Sequence, residues 1–308
     1  MMKGFMSILE CNKCGGGLEK KNEDLVCVDC GFKYGYSDGI IRTLPILRGE
    51  KILSHKKWED FYEKWLKEKS YLKEFEEIKR GYQKNGGGQI EREANLNKDT
   101  VYLEIGCGSF FLGQILAKKC KLVIGIDFSL KALKIARQML KDQGIKNFIL
   151  IHGDIFKIPL KSKSVTLIYG GGVIEHFQET EKCIKELFRV TSNNGVVINA
   201  VPILNIGSLT YRQIWGNIPD FPILKQIAEF VHIKLLKGKH MVFGYEMSFP
   251  IKKLKKIHID VGFKKVSIKR LECPVMLDFL PKKLRPIFRW IAIEFKQFWP
   301  MALVVAKR

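Results

Sequence analysis

The chain has 308 residues, 53 Lys and Arg against 32 Asp and Glu, and a formal net charge of +21. Its length suits one small module beside one α/β domain with a sizeable core. No internal repeat is present and no uninterrupted apolar run is long enough to cross a bilayer, so solenoids and helical membrane spans are excluded.

The first signal in chain order is a pair of knuckles, Cys11-Asn-Lys-Cys14-Gly15 and Cys27-Val-Asp-Cys30-Gly31, with twelve residues between them. Four thiolates at this spacing converge on one tetrahedral zinc, each knuckle turning on the glycine that follows it. Such a site is structural and closed. Two disulfides are the alternative, disfavoured because Met1 to Leu9 is too short and too mixed for a signal peptide and a reducing cytoplasm is expected. Cys107, Cys120, Cys183 and Cys273 lack partner spacing and read as buried thiols. The ribbon is assigned to residues 1–45.

Residues 46–88 form a helical linker or cap. Trp58, Phe61, Tyr62, Trp65, Leu66, Leu72 and Phe75 recur at helical spacing, which predicts helices that either cover a ligand on the core or pack on the ribbon. Asn85-Gly-Gly-Gly88 reads as a hinge before the domain at 89–308.

Within that domain the most informative stretch is Val101-Tyr-Leu-Glu-Ile-Gly-Cys-Gly108. An apolar strand ends in Glu104 and breaks on Gly106 and Gly108, and Phe111 to Ala117 reads as helical. That is a buried strand turning sharply into a helix, with a backbone bare enough for close ligand approach. A second strand, Lys121 to Ile126, ends in Asp127, where an acid can accept both hydroxyls of a ribose. Strands at Phe148–His152, Val165–Tyr169 and Gly195–Val201 follow, the first leading into Gly153-Asp154-Ile155 and the second into Gly170-Gly-Gly-Val-Ile-Glu175-His176-Phe177.

The ordered set Leu-Glu-Ile-Gly-Cys-Gly, Gly-Ile-Asp-Phe-Ser, Gly-Asp-Ile-Phe-Lys-Ile-Pro, Val-Ile-Glu-His-Phe and Asn-Gly-Val-Val-Ile-Asn-Ala-Val-Pro resembles the class I S-adenosylmethionine-dependent methyltransferases, type 11 group, closely over residues 85–205. The resemblance implies a doubly wound, mostly parallel, seven-stranded α/β sheet of Rossmann-like form. It implies that Glu104, Gly106 and Gly108 contact the methionine end of the cofactor, that Asp127 holds the ribose with Phe128 lining the adenine, and that Asp154 and Ile155 flank the adenine. Glu175 and His176 are the catalytic candidates, although an orienting role for His176 serves as well. Ser109-Phe110-Phe111 departs from the Thr-Gly-x usual in the family and predicts a wider turn. Thr166 stands where an acid is frequent early in the fourth strand. The segment Tyr34-Gly-Tyr-Ser-Asp38-Gly39-Ile-Ile resembles small zinc-ribbon domains related to a methyltransferase activator subunit.

Residues 203–247 are expected as a substrate-side insertion offering Tyr211, Trp215, His232, His240 and Tyr245 to a pocket. A helix at Lys252–Ile259 and an antiparallel strand pair near Lys265–Leu271 and Ala302–Ala306 should close the sheet. Residues 225–308 hold 19 Lys and Arg against 6 Asp and Glu. That field favours RNA, an anionic membrane surface or phosphorylated substrates. Leu284, Phe288, Ile291, Phe295 and Phe298 form an apolar stripe flanked by Lys282, Lys283, Arg285 and Arg289, a pattern more often buried in a core than laid on a membrane. The expected function is methyl transfer to a small-molecule, lipid-linked or glycan-linked acceptor, in the cytoplasm or at the membrane periphery. The alternatives are a zinc-ribbon rRNA methyltransferase and a cofactor-binding relative without catalysis.

Overall fold

A computed structural model of the chain describes residues 5–43, 50–84, 88–242, 244–271 and 280–308. Residues 85–87 of the expected hinge, and Cys273, lie outside them. The N-terminal module is four short strands, β1 (Leu18–Lys21), β2 (Asp24–Cys27), β3 (Lys33–Ser37) and β4 (Ile40–Arg42), each antiparallel to the next. Helices α1 (Glu50–Glu68), α2 (Ser70–Lys84) and α3 (Gln89–Glu93) follow. The core then runs β5 (Val101–Ile105), α4 (Phe111–Leu116), β6 (Leu122–Asp127), α5 (Leu130–Asp142), β7 (Phe148–His152), β8 (Val165–Gly171), α6 (Thr180–Val190) and β9 (Thr191–Pro202). The insertion carries α7 (Ile206–Leu209), β10 (Ile218–Pro219), α8 (Pro222–Glu229) and β11 (Met247–Ser248). After it come α9 (Ile251–Val261), β12 (Lys265–Arg270), α10 (Arg285–Glu294) and β13 (Met301–Lys307).

Seven of these strands form the expected core sheet in the order β7-β6-β5-β8-β9-β13-β12, parallel except for β13, which is antiparallel to both neighbours. Every residue of β6 is buried. A continuous apolar run of that kind needs cover on both faces, and it has it. Leu133, Ala136 and Leu140 of α5 pack on one side, and Cys183, Ile184 and Leu187 of α6 with Leu254 of α9 on the other. Two strands are longer than their sequence suggests. β8 runs on to Gly171, so most of the glycine run is strand, and β9 begins at Thr191. Thr166 pins the start of β8 to β5, its hydroxyl accepting from Val101 N at 2.9 Å and donating to Val101 O at 3.1 Å.

The sequence does not announce that the ribbon joins this sheet. β4 pairs parallel with β7, placing Ile40, Ile41 and Arg42 opposite Leu150, Ile151 and His152, and one eleven-stranded sheet results. Arg189 fastens the junction. Its guanidinium donates to Glu10 at 2.6 Å, to Glu186 and to the carbonyls of Ile158 and Leu160 at 2.8 Å.

The turn after β5 is tight rather than wide. Phe110 takes left-handed backbone angles (φ 58°, ψ 36°) and its side chain is fully buried. Room for the ring comes from Gly113 in α4 and Gly125 in β6: a Cβ at Gly113 would overlap the ring, and one at Gly125 would stand 3.0 Å from it. Small residues below the ring therefore restore the close helix–strand approach that a glycine at 110 would otherwise provide. Gly113→Ala is expected to destabilise the protein by about 1–3 kcal/mol through overpacking. A denaturant midpoint equal to wild type would show instead that the ring relaxes freely.

Candidate active site

A cavity of about 670 Å³ opens at the carboxyl ends of the parallel strands. Its floor is the β5–α4 turn. Gly108 has a positive φ of 51°, and a side chain there would collide with the Tyr62 hydroxyl above it. Gly108 N donates to Asp127 Oδ2 at 2.7 Å, and Ser129 N donates to Oδ1 at 2.7 Å. Glu104 lies beside them and accepts from Gly113 N at 3.0 Å and from the Tyr102 hydroxyl at 3.1 Å.

All seven residues expected to contact the cofactor line this one cavity: Glu104, Gly106, Gly108, Asp127, Phe128, Asp154 and Ile155. α1 and α2 roof it with Trp58, Tyr62, Trp65 and Tyr82. Trp65 stacks on Phe111 with ring centres 5.9 Å apart, and Tyr62 and Phe75 pack with Ala132, Ile135 and Met139 of α5. Of the two placements that the aromatic spacing allows, the helices take the one over the core. Leu271 and Leu303, near the edge of the sheet, also line the cavity. No motif marks them, and only the closing strand pair could have suggested them.

His176 lines the cavity and Glu175 does not. A carbonyl can only accept, so the 2.5 Å contact from His176 Nδ1 to Tyr245 O fixes the proton on Nδ1. Burial lowers the pKa of this imidazole and keeps it neutral. Glu175 is fully buried, and desolvation with the nearby Glu246 carboxylate raises its pKa well above the carboxylate range. The insertion residues expected in the pocket are elsewhere. Tyr211 donates to Phe298 O, His232 bonds Gln213, and the Tyr245 side chain donates to Glu229; none of these, nor Trp215 or His240, lines the cavity. The hydrogen bonds of His232 and Tyr245 stay within the insertion and that of Tyr211 reaches the segment after α10, an arrangement that their spacing does not reveal.

At the far edge of the sheet, the Sγ atoms of Cys11, Cys14, Cys27 and Cys30 all lie within 4.8 Å of one another, the one such group among the described residues. Cys14 and Cys27 are 3.4 Å apart and Cys11 and Cys30 3.8 Å. Four sulfurs bound to zinc at about 2.3 Å stand about 3.8 Å from one another, so the donor set fits that ion. The Tyr34 hydroxyl supports it, 3.0 Å from Cys11 Sγ and donating to Asn12 at 2.7 Å.

Residues 96–211 match the family model described as a methyltransferase domain. The chain carries a class I S-adenosylmethionine-dependent methyltransferase domain. Among curated relatives, it is 27% identical over 188 residues to a demethylmenaquinone methyltransferase of Oceanobacillus iheyensis, covering 58% of this chain and 75% of that one. It is 25% identical over 153 residues to a malonyl-[acyl-carrier protein] O-methyltransferase of Hamiltonella defensa, covering 49% and 57%. The solved complex between the Haloferax volcanii Trm112 methyltransferase activator and a candidate methyltransferase matches with TM-score 0.53 at 13% identity, covering 80% of this chain and 96% of that one, which shows the fold.

The two acids of the methyltransferase cavity titrate far from their usual range. Burial pushes Glu104 up to about 8, against the opposing hydrogen bonds from Tyr102 and Gly113. Burial likewise pushes Asp127 up to about 6, against the amides of Ser129 and Gly108. A folded pKa above the unfolded one means that the folded state holds more protons between the two values, so stability falls as pH rises through that window. The unliganded protein should thus lose stability from about pH 4.5 to 8, and Glu104→Gln should flatten that loss. Melting curves at pH 5 and pH 8 test it; parallel pH trends in variant and wild type would remove Glu104 as the cause.

Proposed function

We propose that the protein transfers a methyl group from S-adenosylmethionine to a small-molecule or lipid-linked acceptor. The observation that carries this reading is the pair of buried acids, Glu104 and Asp127, held at the edge of one cavity by an amide of α4 and an amide of the glycine turn. Buried carboxylates need a cation or several donors to remain ionised, and the cofactor offers an ammonium and two ribose hydroxyls. The residues fit the group. When bound, it supplies an activated sulfonium methyl.

In this reading Glu104 receives the ammonium, while Gly106 and Gly108 let the methionine end approach. Asp127 takes the ribose hydroxyls with its remaining lone pairs, and Phe128, Asp154 and Ile155 surround the adenine. In-line transfer then asks mainly for position, which the aromatic roof of α1 gives by excluding water. His176, with its proton held on Nδ1, keeps a lone pair on Nε2 to orient or deprotonate an acceptor. The demethylmenaquinone and malonyl-carrier relatives favour an acceptor that is apolar or carrier-linked, and a cavity roofed by aromatic helices suits it better than an RNA duplex. Phe110 is buried and does not line the cavity, so its ring leaves the space above the glycine turn open.

Zinc in the ribbon holds the knuckles and takes no part in the transfer. Metal analysis of untagged protein should find one equivalent; a value well below that would leave the four thiols without this role. Calorimetry should give micromolar S-adenosylhomocysteine binding, about −8 kcal/mol, abolished by Asp127→Ala. Undiminished binding in that variant would overturn the site as assigned.

A further inference from the structure

The insertion wears its apolar side outward. In α8, Ile223 and Ile227 are 66% and 55% exposed, and Phe230, one turn on, is 57% exposed; these are positions i, i+4 and i+7 of one face. The polar side of the same helix turns inward, where Glu229 accepts from the buried Tyr245 hydroxyl at 2.6 Å and pairs with Lys225. Leu235 and Leu236 extend the apolar face at the end of the following π-helical turn. α10 adds more, since Leu284, Ile287, Phe288, Trp290 and Phe295 are all exposed and Ala292 is its one buried residue. The stripe that sequence patterning would place in a core is largely uncovered.

The insertion and the C-terminal segment are hydrogen-bonded to one another. Asn205, at the start of α7, donates to Trp299 O at 2.8 Å, and Tyr211 donates to Phe298 O at 2.9 Å, which ties the insertion to the segment after α10. His232 of the π-helical turn meets Gln213 at 3.1 Å. Cations accompany the apolar residues: Lys234, Lys237 and Lys239 in and after the π-helical turn, Lys282 and Lys283 just before α10 and Arg289 within it, all exposed and without an ion pair among the described residues.

We propose that this face, formed by α8, the π-helical turn and α10, docks on an anionic phospholipid bilayer. An outward apolar stripe bordered by lysines is the pattern of a helix lying in the membrane interface, where apolar side chains enter the acyl boundary and cations meet headgroups. A second copy of the chain fits less well, because a twofold interface would press the same cations against themselves. RNA would satisfy the lysines but leave Ile227, Phe230 and Trp290 in water. The surface stands independently of the methyl-transfer reading.

The test is flotation of the full-length, zinc-loaded protein with vesicles of phosphatidylcholine alone and of phosphatidylcholine mixed with phosphatidylglycerol. Wild type should float with the mixed vesicles and remain behind with the neutral ones. The combined substitution Ile223→Ser, Ile227→Ser and Phe230→Ser should weaken partitioning by roughly tenfold or more at an unchanged melting midpoint, since all three sites are exposed. Lys282→Glu with Lys283→Glu should weaken it in a salt-dependent way. Failure of wild type to float with anionic vesicles overturns the proposal, as does a serine variant that floats equally well. A wild-type dimer that the serine variant splits, or retention by RNA without flotation, would assign the face to those occupants instead.

Discussion

The arrangement of the site hangs on one packed ring. Phe110, held in a left-handed turn, fills the space between Gly113 and Gly125 and clamps α4 against β6. The Gly108 amide of the turn bonds Asp127 and the Gly113 amide of α4 bonds Glu104, so two strand-end acids are held by the backbone of adjoining turn and helix. Without those two amides the Tyr102 hydroxyl would be left to offset the burial of Glu104, and the Ser129 amide that of Asp127. A residue of unpromising type, in a conformation that costs on the order of 1–2 kcal/mol, thus does the work usual for a glycine. Its two glycine neighbours make that feasible.

The other organising constraint is the open edge of the sheet. A parallel sheet ending at β7 would leave a row of unpaired amides and carbonyls exposed. β4 covers that row, and β4 is held in turn by a ribbon whose own strands are very short. So small a module has little apolar core, and the four-cysteine cluster together with Arg189 makes up the difference. Ribbon and methyltransferase domain are two units by sequence pattern and one sheet by hydrogen bonding.

Much of this was legible in the residues. The glycine turn, the acid that ends β6 and the order of apolar strands point to positions that line one cavity, because each is a local pattern fixed by strand and turn geometry. The cysteine spacing did the same for the ribbon. Three things were not legible. The pairing of β4 with β7 joins residues more than a hundred apart in sequence, and no local period encodes it. Phe110 suggested a wider turn because its compensating glycines lie in different elements. The aromatic residues of the insertion looked like pocket walls because a pocket was expected nearby, whereas side-chain hydrogen bonds draw Tyr211 to Phe298 after α10 and His232 to Gln213 within the insertion.

The roof of the cavity has a fastening of its own. Lys57 of α1 donates to the carbonyls of Gly238 and Met241 in the insertion, and Gly244 sits directly against Ser54. Tyr62, one turn further along α1, covers Gly108. The cover over the glycine turn and the fold of the insertion are therefore joined through one helix, so a shift of α1 away from Gly108 also strains its contacts with Gly238 and Met241.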